Sequence, residues 1–111
     1  MSDLSLPVVS NILAVRSVAN DAEQFFPLLT TSALRVEKIE SHGCPSPAGV
    51  WYDQAQIEWV MLVTGSATLV FASGDSLALT AGDYVTLPAH CKHRVEWCSE
   101  DACWLALHFG D

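Results

Sequence analysis

Positive charge is scarce in this chain: five Lys and Arg stand against thirteen Asp and Glu, a formal charge of −8 over 111 residues. A nucleic-acid partner requires a basic stripe to neutralise phosphates, and an anionic membrane surface requires the same, so neither is expected as a partner. No apolar run reaches the roughly 18–20 residues of a membrane span. The opening stretch MSDLSLPVVSNILAV has no basic residue ahead of its apolar part, so it does not read as a secretion signal, and a cytoplasmic location is expected. Cysteine is sparse and unpatterned. Cys44, Cys91, Cys98 and Cys103 form no C-x-x-C pair, which argues against a zinc knuckle or a dithiol redox site. In a reducing compartment these thiols are expected to be free, with Cys98 and Cys103 the one pair that a hairpin at CSEDAC could bring together. Internal repeats and low-complexity segments are also missing.

What the chain does have is apolar residues, 50% of the total, enough for one closed core. A domain this small gains from pairing, so a homodimer is expected. NDAEQFFPLLTT (20–31) reads as a short helix, with Asn20 and Glu23 spaced as a capping box and Pro27 confined to its first turns or its end. ALRVEKIES alternates, Leu34, Val36 and Lys38 against Arg35, Glu37 and Ile39, and reads as a strand. HGCPSPAGV is a loop by its prolines and glycines. EWVMLVTG, SATLVFASGD, SLALTAGD, YVTLPA, HRVEWC and CWLALHFG follow as short strands with turns at Ser73-Gly74-Asp75 and Ala81-Gly82-Asp83. That spacing predicts an all-β sandwich or barrel.

Two stretches carry a family resemblance. GDYVTLPAHCKHRVEW resembles the second motif of the cupin superfamily, Gly, five residues, Pro, one residue, Gly, two residues, His, three residues, Asn. Gly82, Pro88 and His93 match; His90 stands at the second glycine and Trp97 at the asparagine. WYDQAQIEWVMLVTG resembles the first motif, His-x-His, three or four residues, Glu, six residues, Gly. Glu58 and Gly65 match, but the His-x-His pair is missing: Trp51 and Asp53 take those places with the longer gap, Tyr52 and Gln54 with the shorter. The resemblance spans residues 34 to 109. It implies a jelly-roll barrel over 34–111, preceded by an arm, 1–33, with a short helix. It also implies a ligand pocket at one mouth and, in the usual case, a divalent metal such as zinc, iron, manganese or nickel, held by three imidazoles and a carboxylate.

Strand parity selects the groups that can converge on such a pocket. His93, Val95 and Trp97 share the apolar face of HRVEW, so His93 is expected to point inward. Both faces of EWVMLVT are apolar, and only the motif resemblance places Glu58 inside. A carboxylate and an imidazole inside a barrel need a reason, because an unpaired buried charge is costly. A metal bound by Asp53, Glu58 and His93 is one reason; a direct Glu58–His93 pair acting as catalytic acid and base is the other. Asp53 ranks above Gln54 as third ligand on donor chemistry, although Gln54 has the parity of Glu58. Trp51, Gln54, His90, Trp97 and His108 complete the candidate pocket, His90 from a turn and His108 from the last strand, whose greasier face, Leu105, Leu107 and Phe109, is expected to be the core side. The expected function is binding of a small organic molecule, with a metal-dependent enzyme, a metal-free acid–base isomerase or lyase, and a ligand sensor as its three forms.

Overall fold

Alternation of apolar and polar residues lays eight strands along the chain. The structure, a computed structural model, describes residues 6–14, 23–43, 46 and 49–110. The strands are β1 (Gln24–Thr30), β2 (Leu34–Glu40), β3 (Ile57–Thr64), β4 (Ser66–Phe71), β5 (Ser76–Thr80), β6 (Tyr84–Leu87), β7 (His93–Cys98) and β8 (Cys103–Phe109). They form a five-stranded sheet, β1-β2-β8-β3-β6, and a three-stranded sheet, β5-β4-β7, with every pairing antiparallel. The long-range pairings β2–β8, β3–β8 and β4–β7 close the two sheets into a jelly-roll barrel. Ile39, Val60, Leu62, Trp104 and Ala106 of the larger sheet meet Ala67, Leu69, Val95 and Cys98 of the smaller one. Each large apolar side chain so buried contributes about 1.5–3 kcal/mol.

Two tight turns explain the glycines of the motifs. Gly65 alone connects β3 to β4 at φ 85°, and its missing Cβ leaves room for the 99–102 turn, where the Ser99 hydroxyl accepts from Ser66 N at 2.9 Å and donates to Asp101 Oδ1 at 2.7 Å. Gly82, at φ 95°, turns the chain between β5 and β6 and donates its N–H to Leu62 O at 2.7 Å.

Three expectations are corrected by the strands. The segment expected as a helix is instead the edge strand β1 from Gln24 onward, and no helix occurs among the described residues. A turn at Thr31–Leu34, closed by Thr31 N to Leu34 O at 2.8 Å, folds β1 onto β2, and the cross-strand pairing outweighs a marginal local helix. Pro27 is tolerated because it lies on an edge strand beside a register shift. Asn20, half of the expected capping box, lies outside the described residues, and the Glu23 side chain turns to Ser41 and Tyr52 instead. On β7 a bulge interrupts the parity. Val95 pairs with Leu69 and Trp97 with the adjacent Thr68, so Glu96 is an extra residue. Trp97 is thereby turned outward, 52% exposed, and Cys98 inward. On β8 the inward face is Trp104, Ala106 and His108, and the greasier face is the outer one. Cys98 and Cys103 are not joined by a disulfide, and Cys44 lies outside the described residues.

Candidate active site

The register of the larger sheet sets a row of side chains across the barrel wall. Arg35 of β2 faces His108 of β8, His108 faces Glu58 of β3, and Glu58 faces Leu87 of β6. One row deeper come Glu37, Ala106 and Val60, and below them Ile39, Trp104 and Leu62. A cavity of about 260 Å³ opens between the sheets. Its apolar walls are Phe25, Ile39, Val60, Leu69, Val95 and Trp104, and its polar groups are Glu23, Arg35, Glu37, Tyr52, Gln54, Glu58, His93 and His108. Apolar walls with a few convergent polar groups suit a small organic ligand.

Glu58 and His93 meet here from opposite sheets, with His93 Nε2 3.4 Å from Glu58 Oε1. The other ring nitrogen, Nδ1, donates to Cys91 O at 2.8 Å. A carbonyl only accepts, so the ring has an acceptor at each nitrogen, which favours the imidazolium. Burial works to lower the His93 pKa, but the hydrogen bond to Glu58, the Cys91 carbonyl and the Glu58 charge outweigh it and raise it. For Glu58, burial works upward; the His93 hydrogen bond, the charges of His108 and His93, and the Gln54 amide prevail and hold the carboxyl below its ordinary value. Gln54 donates to Glu58 Oε1 at 2.8 Å.

The segment before β3 explains which residues flank Glu58. Tyr52 exchanges both backbone hydrogen bonds with His93, N to O at 2.8 Å and the reverse at 3.1 Å, which fastens this segment beside β7. Tyr52 and Gln54 therefore face inward and Asp53 does not. Asp53 bonds His90 instead, Oδ1 to Nδ1 at 2.9 Å, on the exposed side of the turn. His90 adopts φ 60°, the left-handed conformation that favours glycine, and donates its N–H to Gln54 O at 2.6 Å. The Asp53 and Gln54 bonds compensate a backbone cost of about 1–2 kcal/mol. His90 thus serves the turn and Asp53 serves His90; neither lines the cavity. Trp51 is also outside, beneath the Arg94 guanidinium at 5.3 Å. Glu58, His93, Gln54 and His108 are brought together, whereas Asp53, Trp51, His90 and Trp97 are not.

Four polar groups were not among the expected site residues. Glu37 bonds His108, Oε1 to Nε2 at 3.0 Å, with Arg35 Nε 3.9 Å from its other oxygen. Their shared parity with Ile39 was the available signal. Tyr52 donates to Glu23 Oε1 at 3.1 Å, and Ser41, which accepts from Trp104 Nε1 at 3.1 Å, donates to Glu23 Oε2 at 2.9 Å. Burial, more than the opposing bonds from Ser41 and Tyr52, raises the Glu23 pKa, and the Glu58 charge adds to it. Burial and the Glu23 charge push the Tyr52 phenol up to about 12, so it stays protonated. Glu23 precedes β1, and its sequence context offers a capping box with Asn20 rather than a site role.

No protein-family model and no curated protein matches the chain. Solved structures do. A Ralstonia eutropha protein provisionally named a mannose-6-phosphate isomerase is 41% identical, with 95% of this chain and 100% of that one covered at a TM-score of 0.87. A cupin superfamily protein of Desulfitobacterium hafniense aligns over 99% of this chain and 97% of its own, at TM-score 0.78 and 13% identity. An RmlC-like cupin of Shewanella frigidimarina aligns over 83% and 79%, at TM-score 0.68 and 19% identity. The chain belongs to the cupin superfamily.

The metal usual in cupins does not fit the donors present. The four places that the family fills with three imidazoles and a carboxylate hold Tyr52, Gln54, Glu58 and His93. The phenol is turned to Glu23, the amide donates to Glu58, and His93 shares its Nε2 side with that same carboxylate. Among the described residues no three His, Cys, Asp or Glu side chains converge on one point as metal ligands. The set of Asp53, Glu58 and His93 expected from the sequence fails because Asp53 faces out.

Proposed function

We propose that this cupin is metal-independent, binds a small organic molecule in its barrel cavity, and moves a proton on that molecule with the Glu58–His93 pair. One observation carries the reading: at the ligand positions of the family, an amide and an imidazole both turn toward Glu58, leaving a carboxylate and an imidazolium side by side. The carboxylate, held ionised, is a base; the imidazolium, held protonated, is an acid. Glu58 would take a proton from carbon while His93 Nε2 gives one to the neighbouring oxygen, the exchange needed to isomerise a hydroxy-carbonyl compound or to open one by elimination. The provisional name of the Ralstonia eutropha relative makes isomerisation the first reaction to assay. The reading includes a cytoplasmic homodimer. The outer face of the larger sheet, with Leu105, Leu107, Phe109 and the tilted Trp59–Tyr84 ring pair at 5.2 Å, is the apolar surface that a second copy would cover.

Elemental mass spectrometry tests the metal-free reading. Wild type saturated with zinc, iron, manganese or nickel and then desalted should retain no stoichiometric metal. The double variant Tyr52→His/Gln54→His, which rebuilds four donors with Glu58 and His93, should retain about one ion per chain. Retention of one ion by wild type, lost in His93→Ala, would sink the proposal.

A further inference from the structure

The cavity wall formed by β2 and β8 holds a carboxylate where an anionic ligand would bind. Arg35 and His108 are opposite each other in register, and both line the cavity. A guanidinium beside an imidazole is an ordinary receptor for phosphate or carboxylate. In this chain the receptor is filled from within. Glu37 lies two residues from Arg35 and so on the same face of β2. Its Oε1 is 3.0 Å from His108 Nε2, and its Oε2 is 3.9 Å from Arg35 Nε. The Glu37 side chain is 14% exposed and that of His108 4%. The strand that carries Glu37 is an inner one, paired with β1 through Pro27 and with β8 through Ala106, so the carboxylate is anchored in place.

The remaining imidazole of the cavity, His93, faces Glu58. Each cationic group among the described lining residues therefore already has a carboxylate beside it, and Glu23 adds a third acid. An entering anion would either sit against Glu37 or displace it and leave a mostly buried carboxylate without its partners; both are costly. An uncharged ligand meets no such barrier, because hydroxyl and carbonyl groups can bond to these pairs without separating them.

We infer that Glu37 is a built-in counter-ion that closes the cavity to anions and reserves it for an uncharged, hydroxyl- or carbonyl-bearing small molecule. The inference rests on the reading of the cavity as the ligand site, and not on proton transfer by Glu58 and His93. A phosphorylated sugar would then be a poor ligand despite the provisional name of the Ralstonia eutropha relative.

Titration calorimetry at about pH 6 tests this with inorganic phosphate and mannose 6-phosphate as probes. Wild type should show no saturable binding of either. Glu37→Gln should bind both at least about tenfold more tightly than wild type, and Arg35→Gln added to it should remove the gain. Glu37→Ser serves as the second variant if thermal unfolding shows that the glutamine does not fold. Saturable phosphate binding by wild type, or no gain in either folded variant, would overturn the inference. So would thermal stabilisation of wild type by mannose 6-phosphate without stabilisation by mannose. The metal content of the same samples judges the acid–base reading separately: a wild type that holds metal and still rejects phosphate would end that reading and support this one.

Discussion

Replacing Glu58 by glutamine should cost stability in a manner that depends on pH, and the size of the dependence follows from the surroundings of His93. The two side chains are 8% and 9% exposed, and the ring is held between the Cys91 carbonyl and the Glu58 carboxylate. A raised imidazole pKa stabilises the fold fully below about pH 6.5, and that contribution is lost as pH rises through the folded value. A lowered carboxyl pKa stabilises above about pH 4.3, and that contribution is lost as pH falls through its folded value. The pair therefore contributes most between about pH 4.5 and pH 6.5. Within that window Glu58→Gln removes one partner of a buried pair, for which about 3–5 kcal/mol is usual; the adjoining cavity favours the lower end, about 3 kcal/mol. At about pH 8.5 the ring is increasingly neutral and the substitution approaches the loss of an ordinary hydrogen bond, about 1 kcal/mol. Urea unfolding followed by the fluorescence of the four tryptophans measures both values. The same loss at both pH values would refute the ion pair, and with it the stored acid and base.

Other consequences follow from groups around the pair. Glu23 has a raised pKa, so its contribution is present below about pH 4.3 and is lost as pH rises through the folded value; Glu23→Gln should be the more stable protein above neutrality and equal to wild type near about pH 4 in the same urea series. Gly65→Ala should lower stability by about 2–4 kcal/mol, because φ 85° is strained for alanine and the new Cβ would meet Ser99 Oγ and lie 2.9 Å from Ala102 Cα; an unchanged urea midpoint would contradict that packing. Light scattering should give twice the chain mass for wild type and the single mass for Trp59→Lys, and a monomeric wild type would remove the dimer.

Much of the barrel is legible in the sequence because its turns are chemical. Gly65, Gly82 and Pro88 mark places where few residues are tolerated, and Glu58 and His93 are spaced from them by strand lengths that the fold enforces. The misplacements share a different origin. Trp97 follows His93 by four residues and should share its face, but the extra residue Glu96 breaks the period, and no residue type announces a bulge of that kind. The greasier face of β8 faces outward because the inward face gives two of its positions to the small Ala106 and the polar His108. Asp53 is the better metal donor in isolation, yet the backbone pairing of Tyr52 with His93 decides which of two neighbours points in, and that pairing joins residues 41 positions apart, as the numbering shows. Glu23, Arg35 and Glu37 lie outside both motifs and enter the site only through the β1–β2–β8 register.

The edge of the larger sheet has a bearing on how the protein behaves in a crowd. An open strand edge invites another chain to add itself, and repeated addition makes filaments. On β1 that edge carries Pro27, which has no N–H to offer, and the pairing slips between Pro27 and Leu29, so a visiting strand would find an interrupted ladder. The formal charge of −8 adds mutual repulsion between copies. Encounters between copies at this edge are thus steered away from open-ended stacking.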